Sequence, residues 1–337
     1  MTTQIGYSKK FNRHNNPSHP ENAERLNVMI DEINNSPILK KLDFIEPELL
    51  DEKSLHSVHS NELIQNVREL SKGQESWIDF DTYVSNLDYE TARLAAGAVV
   101  QLSKNVLNGD ANNAFALVRP PGHHATKTRS MGFCLFNNIA IAANEITKLG
   151  KRVLIFDPDV HHGNGTQEIF YDRNDVLYQS IHLSPHYPGT GSVEEIGTTE
   201  GVGYTINAPM AHGNGNKAVL KILNEIFLPV ANQFKPDIIL VSVGYDSHHA
   251  DMLGGLKLTA NFYGKIIAEL QKIQTKIVCT LEGGYNLSWI GKCLLSQLGQ
   301  MVNKPIEIND NTYENENVDH LIKSIKSEIR GYWNLDD

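Results

Sequence analysis

The sequence predicts an α/β fold in which a central, mainly parallel sheet is flanked by helices. Three observations carry that expectation. Short β-rich runs alternate with helical patterns along the chain. Most of those runs are apolar on both faces, as strands inside a parallel sheet are. Where the helical pattern over 137–149 ends at Gly150, a strand begins at Val153 and completes a β-α-β unit. The 337 residues fit either one large α/β domain or two smaller ones. No internal repeat, low-complexity tract or Pro/Ser-rich linker divides them, so residues 1–337 read as a single domain.

Taken in order, helices are expected near 22–33 and 61–70. A longer one over 87–107 rests on Ala92, Ala95, Ala96, Val99 and Val100 at helical spacing, with Asn108-Gly109 as its stop. A strand follows at 115–118, then the helix over 137–149 and strands at 153–157 and 176–182. Strands at 237–243 and 277–281 close the series, preceded by helices near 216–233 and 260–274 respectively. A last helix, about 317–330, places Val318, Leu321, Ile322, Ile325 and Ile329 on one stripe with Gly331 behind it, and reads as a packing element.

Composition narrows the function classes. Hydrophobic residues at 40% and charged residues at 21% give the profile of a soluble globular chain. Forty acidic against thirty basic side chains leave a net charge of -10, which repels nucleic acid and anionic membranes, so neither is expected as a direct partner. Cys134, Cys279 and Cys293 are too few and too scattered for a disulfide framework or a cysteine zinc knuckle, and suit a reducing compartment. No apolar leader and no run near the roughly 18 apolar residues of a membrane span occurs, so a cytoplasmic location is expected.

The chemistry gathers where strands end, the place at which open α/β sheets bind ligands. Arg119 to His124 follows the strand 115–118, and Asp157 to Gly165 follows 153–157. Gly244 to His248 follows 237–243, and Glu282 to Asn286 follows 277–281. Asp157, Asp159 and His161 are spaced i, i+2, i+4 and project to one face if the chain stays extended. Two carboxylates and an imidazole suit a divalent transition metal, with Asp246 available as a third ligand. Any one of these aspartates alone would as readily cap a helix or brace a loop; together they favour a metal. His123-His124 sets two imidazoles on a constrained turn, and an imidazole beside a metal water is a usual general base. Tyr285, behind two glycines, offers a phenol to a developing oxyanion, although a simple glycine turn gives the same pattern.

These segments, with Gly132 to Asn138, Tyr187 to Gly191 and His19-Pro20-Glu21 plus Arg25, resemble the ordered motifs of the histone deacetylase and acetylpolyamine amidohydrolase superfamily over about residues 14–287. The resemblance implies an arginase/deacetylase-like three-layer fold and a zinc-dependent amidohydrolase that frees an amine and acetate. It assigns one zinc per chain to Asp159, His161 and Asp246. His124 becomes the general base and acid, His123 an electrostatic partner paired with Asp157, and Tyr285 the donor to the substrate carbonyl. Gly132, Phe133 and Tyr187 match an aromatic-walled acyl-lysine tunnel, and Leu253 matches its apolar rim. A structural potassium near Asp157 and Ser180 is also implied. Asn164 stands where some members have a carboxylate, as in the class II-like branch, so an amide would orient His124 without favouring its imidazolium.

Three alternatives are weighed. A binuclear manganese ureohydrolase needs further aspartates where this chain has Gly163 and His248. A non-catalytic binding module would be expected to lose Tyr285 or a ligand, and all are present. Within the same chemistry the substrate is either an acylated lysine side chain or a small acetylated amine such as a polyamine. Leu253 favours the former, since it gives a distant ammonium no partner, while Asp79 and Asp81 could reach the entrance and favour the latter. The sequence leaves self-association open, and also whether iron replaces zinc.

Overall fold

The structure, a computed structural model, describes residues 2–335. Its strands are β1 (Thr3–Gly6), β2 (Leu42–Ile45), β3 (Ser76–Trp77), β4 (Tyr83–Val84), β5 (Asn113–Ala116), β6 (Val153–Asp157), β7 (Val176–Leu183), β8 (Thr205–Met210), β9 (Ile238–Val243) and β10 (Ile277–Leu281). β3 and β4 form a small antiparallel hairpin. The rest build one sheet in the order β2-β1-β5-β10-β9-β6-β7-β8, parallel throughout. β5, β10, β9, β6 and β7 are buried along their whole length, so helices cover both faces of the sheet's centre.

The five expected strands are present. The one placed at 115–118 lies two residues earlier, because its ladder ends with its neighbour: Ala116 pairs with Gly6, and the Leu117 N–H still donates to the Gly6 carbonyl at 2.9 Å. β1, β2 and β8 were not expected. β1 and β2 are four residues each, too short to show a period, and β8 carries Pro209, a residue tolerated on an edge strand.

Helices form at Glu24–Asn34, Asn61–Leu70, Asp88–Asn108, Asn138–Thr147, Ala260–Leu270 and Asp319–Glu328. The pattern over 216–233 becomes two α segments, Asn216–Ile222 and Leu228–Phe234, joined by a π turn at Leu223–Phe227 just before Pro229. Proline has no N–H to continue the regular ladder, which accounts for the widened turn. Ile290–Met301 was missed because it is buried nearly all round, between Glu24–Asn34 and Ala260–Leu270, and so shows no polar stripe. Asp319–Glu328 buries Ile322 and Ile325 beside β8 and covers that edge.

Topology decides where the chemistry goes. The four strands followed by polar segments, β5, β10, β9 and β6, are consecutive neighbours. Their parallel carboxyl ends deliver residues 119–124, 282–286, 244–248 and 157–165 to one place.

Candidate active site

Asp159, His161 and Asp246 converge, with one potential ligand atom from each lying within 4.8 Å of the others. His161 Nδ1 is 3.1 Å from Asp159 Oδ1 and 3.3 Å from Asp246 Oδ2. Tetrahedral zinc with ligands near 2.1 Å puts them roughly 3.4 Å apart, so the spacing suits such an ion. Both carboxylates are fully buried, and Asp246 Oδ2 has no hydrogen-bond partner. Burial and the charge of Asp159 push the Asp246 carboxyl up to about 6. A side-chain carbon at Gly244 or Gly283 would run into these carboxylates, so the two loops approach as closely as glycine allows.

The expected i, i+2, i+4 comb is not formed, because extended backbone ends at Asp157. Its carboxylate turns instead to His123, Nδ1 to Oδ2 3.1 Å, and accepts from the Tyr178 hydroxyl at 3.2 Å. Burial lowers the pKa of His123, but Asp157 and Asp159 outweigh it and raise the value to about 10, which makes an imidazolium-carboxylate pair. His124 differs. Its Nδ1 donates to Asn164 Oδ1 at 2.8 Å, leaving Nε2 as the acceptor, and burial with the neighbouring His123 and His161 holds it well below 6.5. Gly132, at φ +57°, is needed beside it, since any Cβ there would meet the His124 ring.

Tyr285 packs edge-on to Phe133 at 5.8 Å between ring centroids, and the Arg25 guanidinium lies 5.0 Å from its ring centre. Burial raises its pKa well above 10, so the phenol keeps its proton. Arg25 donates to the carbonyls of Gly284 at 2.7 Å and Glu282 at 2.6 Å, and to Glu21, which also holds Arg119 through both carboxylate oxygens. Glu282 accepts the N–H groups of Gly122 and His123 at 2.6 and 3.1 Å, tying the end of β10 to the histidine turn.

A cavity of about 320 Å³ lies beside these groups. Gly132, Phe133, Tyr187, Leu253 and Asp81 line it together with His123, His124, His161 and Tyr285. The Tyr187 hydroxyl is buried without a partner, and Asp81 is pushed up to about 6 by burial and by Asp79. Asp157 and Ser180 are register partners across β6 and β7, although the Ser180 hydroxyl is engaged with His182.

Several lining and supporting residues carried no role in the sequence reading. His186 stacks on His161 at 4.8 Å and donates from Nε2 to the Leu253 carbonyl. Its signal was an aromatic ring beside Tyr187. Glu21, Arg25 and Glu282 lie inside the motifs, but only the fold shows what they hold. Asp251 gave no signal, because its partners are backbone N–H groups. A second group, His248, His249 and Asp310, also brings ligand-type atoms together. There the Ala250 N–H donates to His248 Nδ1, so Nε2 bears the proton and donates to Asp310. That cluster is a staple from residue 310 to the loop carrying Asp246.

The chain and its fold are similar to known proteins. The family model described as Histone deacetylase domain matches residues 19–301. A probable deacetylase of Archaeoglobus fulgidus is 38% identical over 296 residues, covering 85% of this chain and 82% of that protein. A probable deacetylase of Methanothermobacter thermautotrophicus is 37% identical, covering 86% and 87%. Histone deacetylase 18 of Arabidopsis thaliana is 34% identical over 97% of this chain, which spans about half, 51%, of that relative's length. The crystal structure of the HDA15 HD domain superposes with a TM-score of 0.93 at 33% identity, covering 99% of this chain and 97% of that one.

Proposed function

The chain belongs to the histone deacetylase family, and from that premise we propose that it is a zinc-dependent amidohydrolase acting on an acylated lysine side chain or a related N-acetylated amine. One observation carries the metal: a buried, unpartnered carboxylate oxygen on Asp246, within reach of His161 Nδ1 and beside Asp159. Two buried carboxylates this close repel each other, and a divalent cation removes the conflict. Asp159, His161 and Asp246 would hold one zinc, which supplies Lewis acidity to the acyl carbonyl and to water.

The chain's own groups do the rest. Asn164 keeps the proton of His124 on Nδ1, so Nε2 is free to take a proton from water and return it to the leaving amine. His123, charged against Asp157, adds positive potential beside that centre. Tyr285, protonated and next to the cavity, donates to the oxygen on which negative charge grows. Phe133 and Tyr187 exclude water from the acyl-amine stem. A structural potassium beside Asp157 and Ser180, and a location in the cytoplasm, belong to the same reading; among the described residues no helix is long and apolar enough to cross a membrane.

Elemental analysis with a panel of acylated peptides and acetylated polyamines tests the proposal. One zinc per chain is expected, lost in Asp159→Ala and Asp246→Ala together with turnover. Two equivalents of metal, or a metal content indifferent to those substitutions, would refute it.

A further inference from the structure

The loop bearing Asp246 and the loop bearing Tyr285 are fastened by one carboxylate. Asp251, buried at 9% exposure, accepts the Tyr285 N–H at 2.6 Å and the Asn286 N–H at 2.9 Å on Oδ2. Its Oδ1 accepts the Leu253 N–H at 3.0 Å. Asn286 returns a bond from Nδ2 to the Ala250 carbonyl at 2.6 Å. The segment before Tyr285 has little stiffness of its own: Gly283 and Gly284 precede it, and Gly284 sits at φ +111°, where other residues are strained. Strand β10 ends at Leu281, four residues short of the tyrosine. The segment is therefore held beyond the sheet by side chains, Arg25 at the Glu282 and Gly284 carbonyls and Asp251 at the Tyr285 N–H.

We propose that Asp251 is a positioning residue that couples the cavity rim to the oxyanion donor: one oxygen holds the backbone of Tyr285 and Asn286, the other holds Leu253. The proposal rests on reading Tyr285 as that donor. It accounts for an anion here, since three N–H donors converging on one side chain need acceptors on both of its oxygens. Because Leu253 and Tyr285 share the same carboxylate, a substrate stem that packs on Leu253 also tightens the seat of the phenol.

Two substitutions separate the two oxygens. Asp251→Ala removes both. Asp251→Asn keeps one carbonyl oxygen, which stays with the two converging donors at 285 and 286, and turns its amide N–H groups toward the Leu253 N–H. Hydrogen exchange of the metal-loaded protein, without substrate, reads the outcome directly. The amides of Tyr285 and Asn286 should exchange faster in Asp251→Ala and stay protected in Asp251→Asn, while Leu253 is released in both. If the alanine variant does not fold, the asparagine pattern alone decides, and release of Tyr285 with protection of Leu253 overturns the proposal.

Turnover supplies the second readout. Asp251→Ala should lower kcat about ten- to a hundredfold with zinc content unchanged, and Asp251→Asn should raise KM with kcat within about threefold of wild type. In a Tyr285→Phe background the loss in kcat from Asp251→Ala should shrink to less than about threefold, since there is no phenol left to position. Equal losses in both backgrounds, or unchanged exchange at Tyr285 in Asp251→Ala, would refute the role. If the wild-type chain turns over no acylated amine, the proposed function falls, and the exchange pattern still decides whether Asp251 holds Tyr285.

Discussion

Adjacent in the chain and 4.0 Å apart between ring centroids, His123 and His124 differ because of what stands behind each ring. A carboxylate behind His123 keeps it charged, whereas an amide behind His124 leaves it neutral with Nε2 free. In the proposed reading only His124 moves protons, so His124→Ala should cost more in kcat than His123→Ala; equal losses, or the reverse order, overturn the assignment. A histidine outside the site gives a test of stability. His59 donates from Nδ1 to the Thr126 carbonyl at 2.8 Å and accepts the Asn137 N–H on Nε2 at 2.9 Å. Burial lowers its pKa to about 4. The unfolded chain takes up this proton from about pH 6.5 downward and the folded chain only near 4. Stability from His59 is therefore full above 6.5 and falls between 6.5 and 4, by about 3 kcal/mol at most. Urea midpoints across that range should fall more steeply for wild type than for His59→Gln. The pairing of His124 with Asn164 was legible in the sequence through a motif. The bonds of His59 were not, since two backbone partners leave no trace in residue type.

At the scale of elements, the legible part was the run of strands that fill the centre of the sheet, whose two-sided burial demands apolar residues throughout. The edges, β2 and β8, and the enclosed helix Ile290–Met301 were hidden for opposite reasons: the edges are mixed in polarity, and the helix has no exposed face. The comb at 157–161 failed because strand alternation holds only while neighbours supply a ladder, and the ladder of β6 stops at Asp157. The loops after β9 and β10 meet with no room for a side chain at Gly283. Gly283→Ala should thus push the Asp246 carboxylate out of place and reduce bound zinc far below one equivalent while circular dichroism stays near wild type. Undiminished zinc would show that the loops part easily and that their close approach is not needed to hold a metal.

Across the whole molecule, the charge of -10 attracts any cationic substrate, but such a field is screened over about 8 Å at physiological salt. A placed group discriminates better, and the cavity rim has both kinds, apolar Leu253 and acidic Asp81. A preference for an acyl-lysine side chain follows if Leu253 dominates. Specificity constants for an acetyl-lysine peptide and for acetylated spermidine compare the two, and a clear preference for the polyamine would make Asp81 the deciding residue. The strand order has a consequence for biosynthesis. Among the described residues, β2-β1-β5 and β9-β6-β7-β8 meet through β10, the latest of these strands to leave the ribosome and the one that carries Glu282 and Tyr285 behind it. β9 ends at Val243 and β10 at Leu281, so at about 5–20 residues per second a nascent chain spends roughly 2–8 seconds holding two unjoined half-sheets, each with a bare edge. The strand that closes them also delivers the last members of the site, so no nascent chain that stops before Tyr285 carries the full set of proposed site residues.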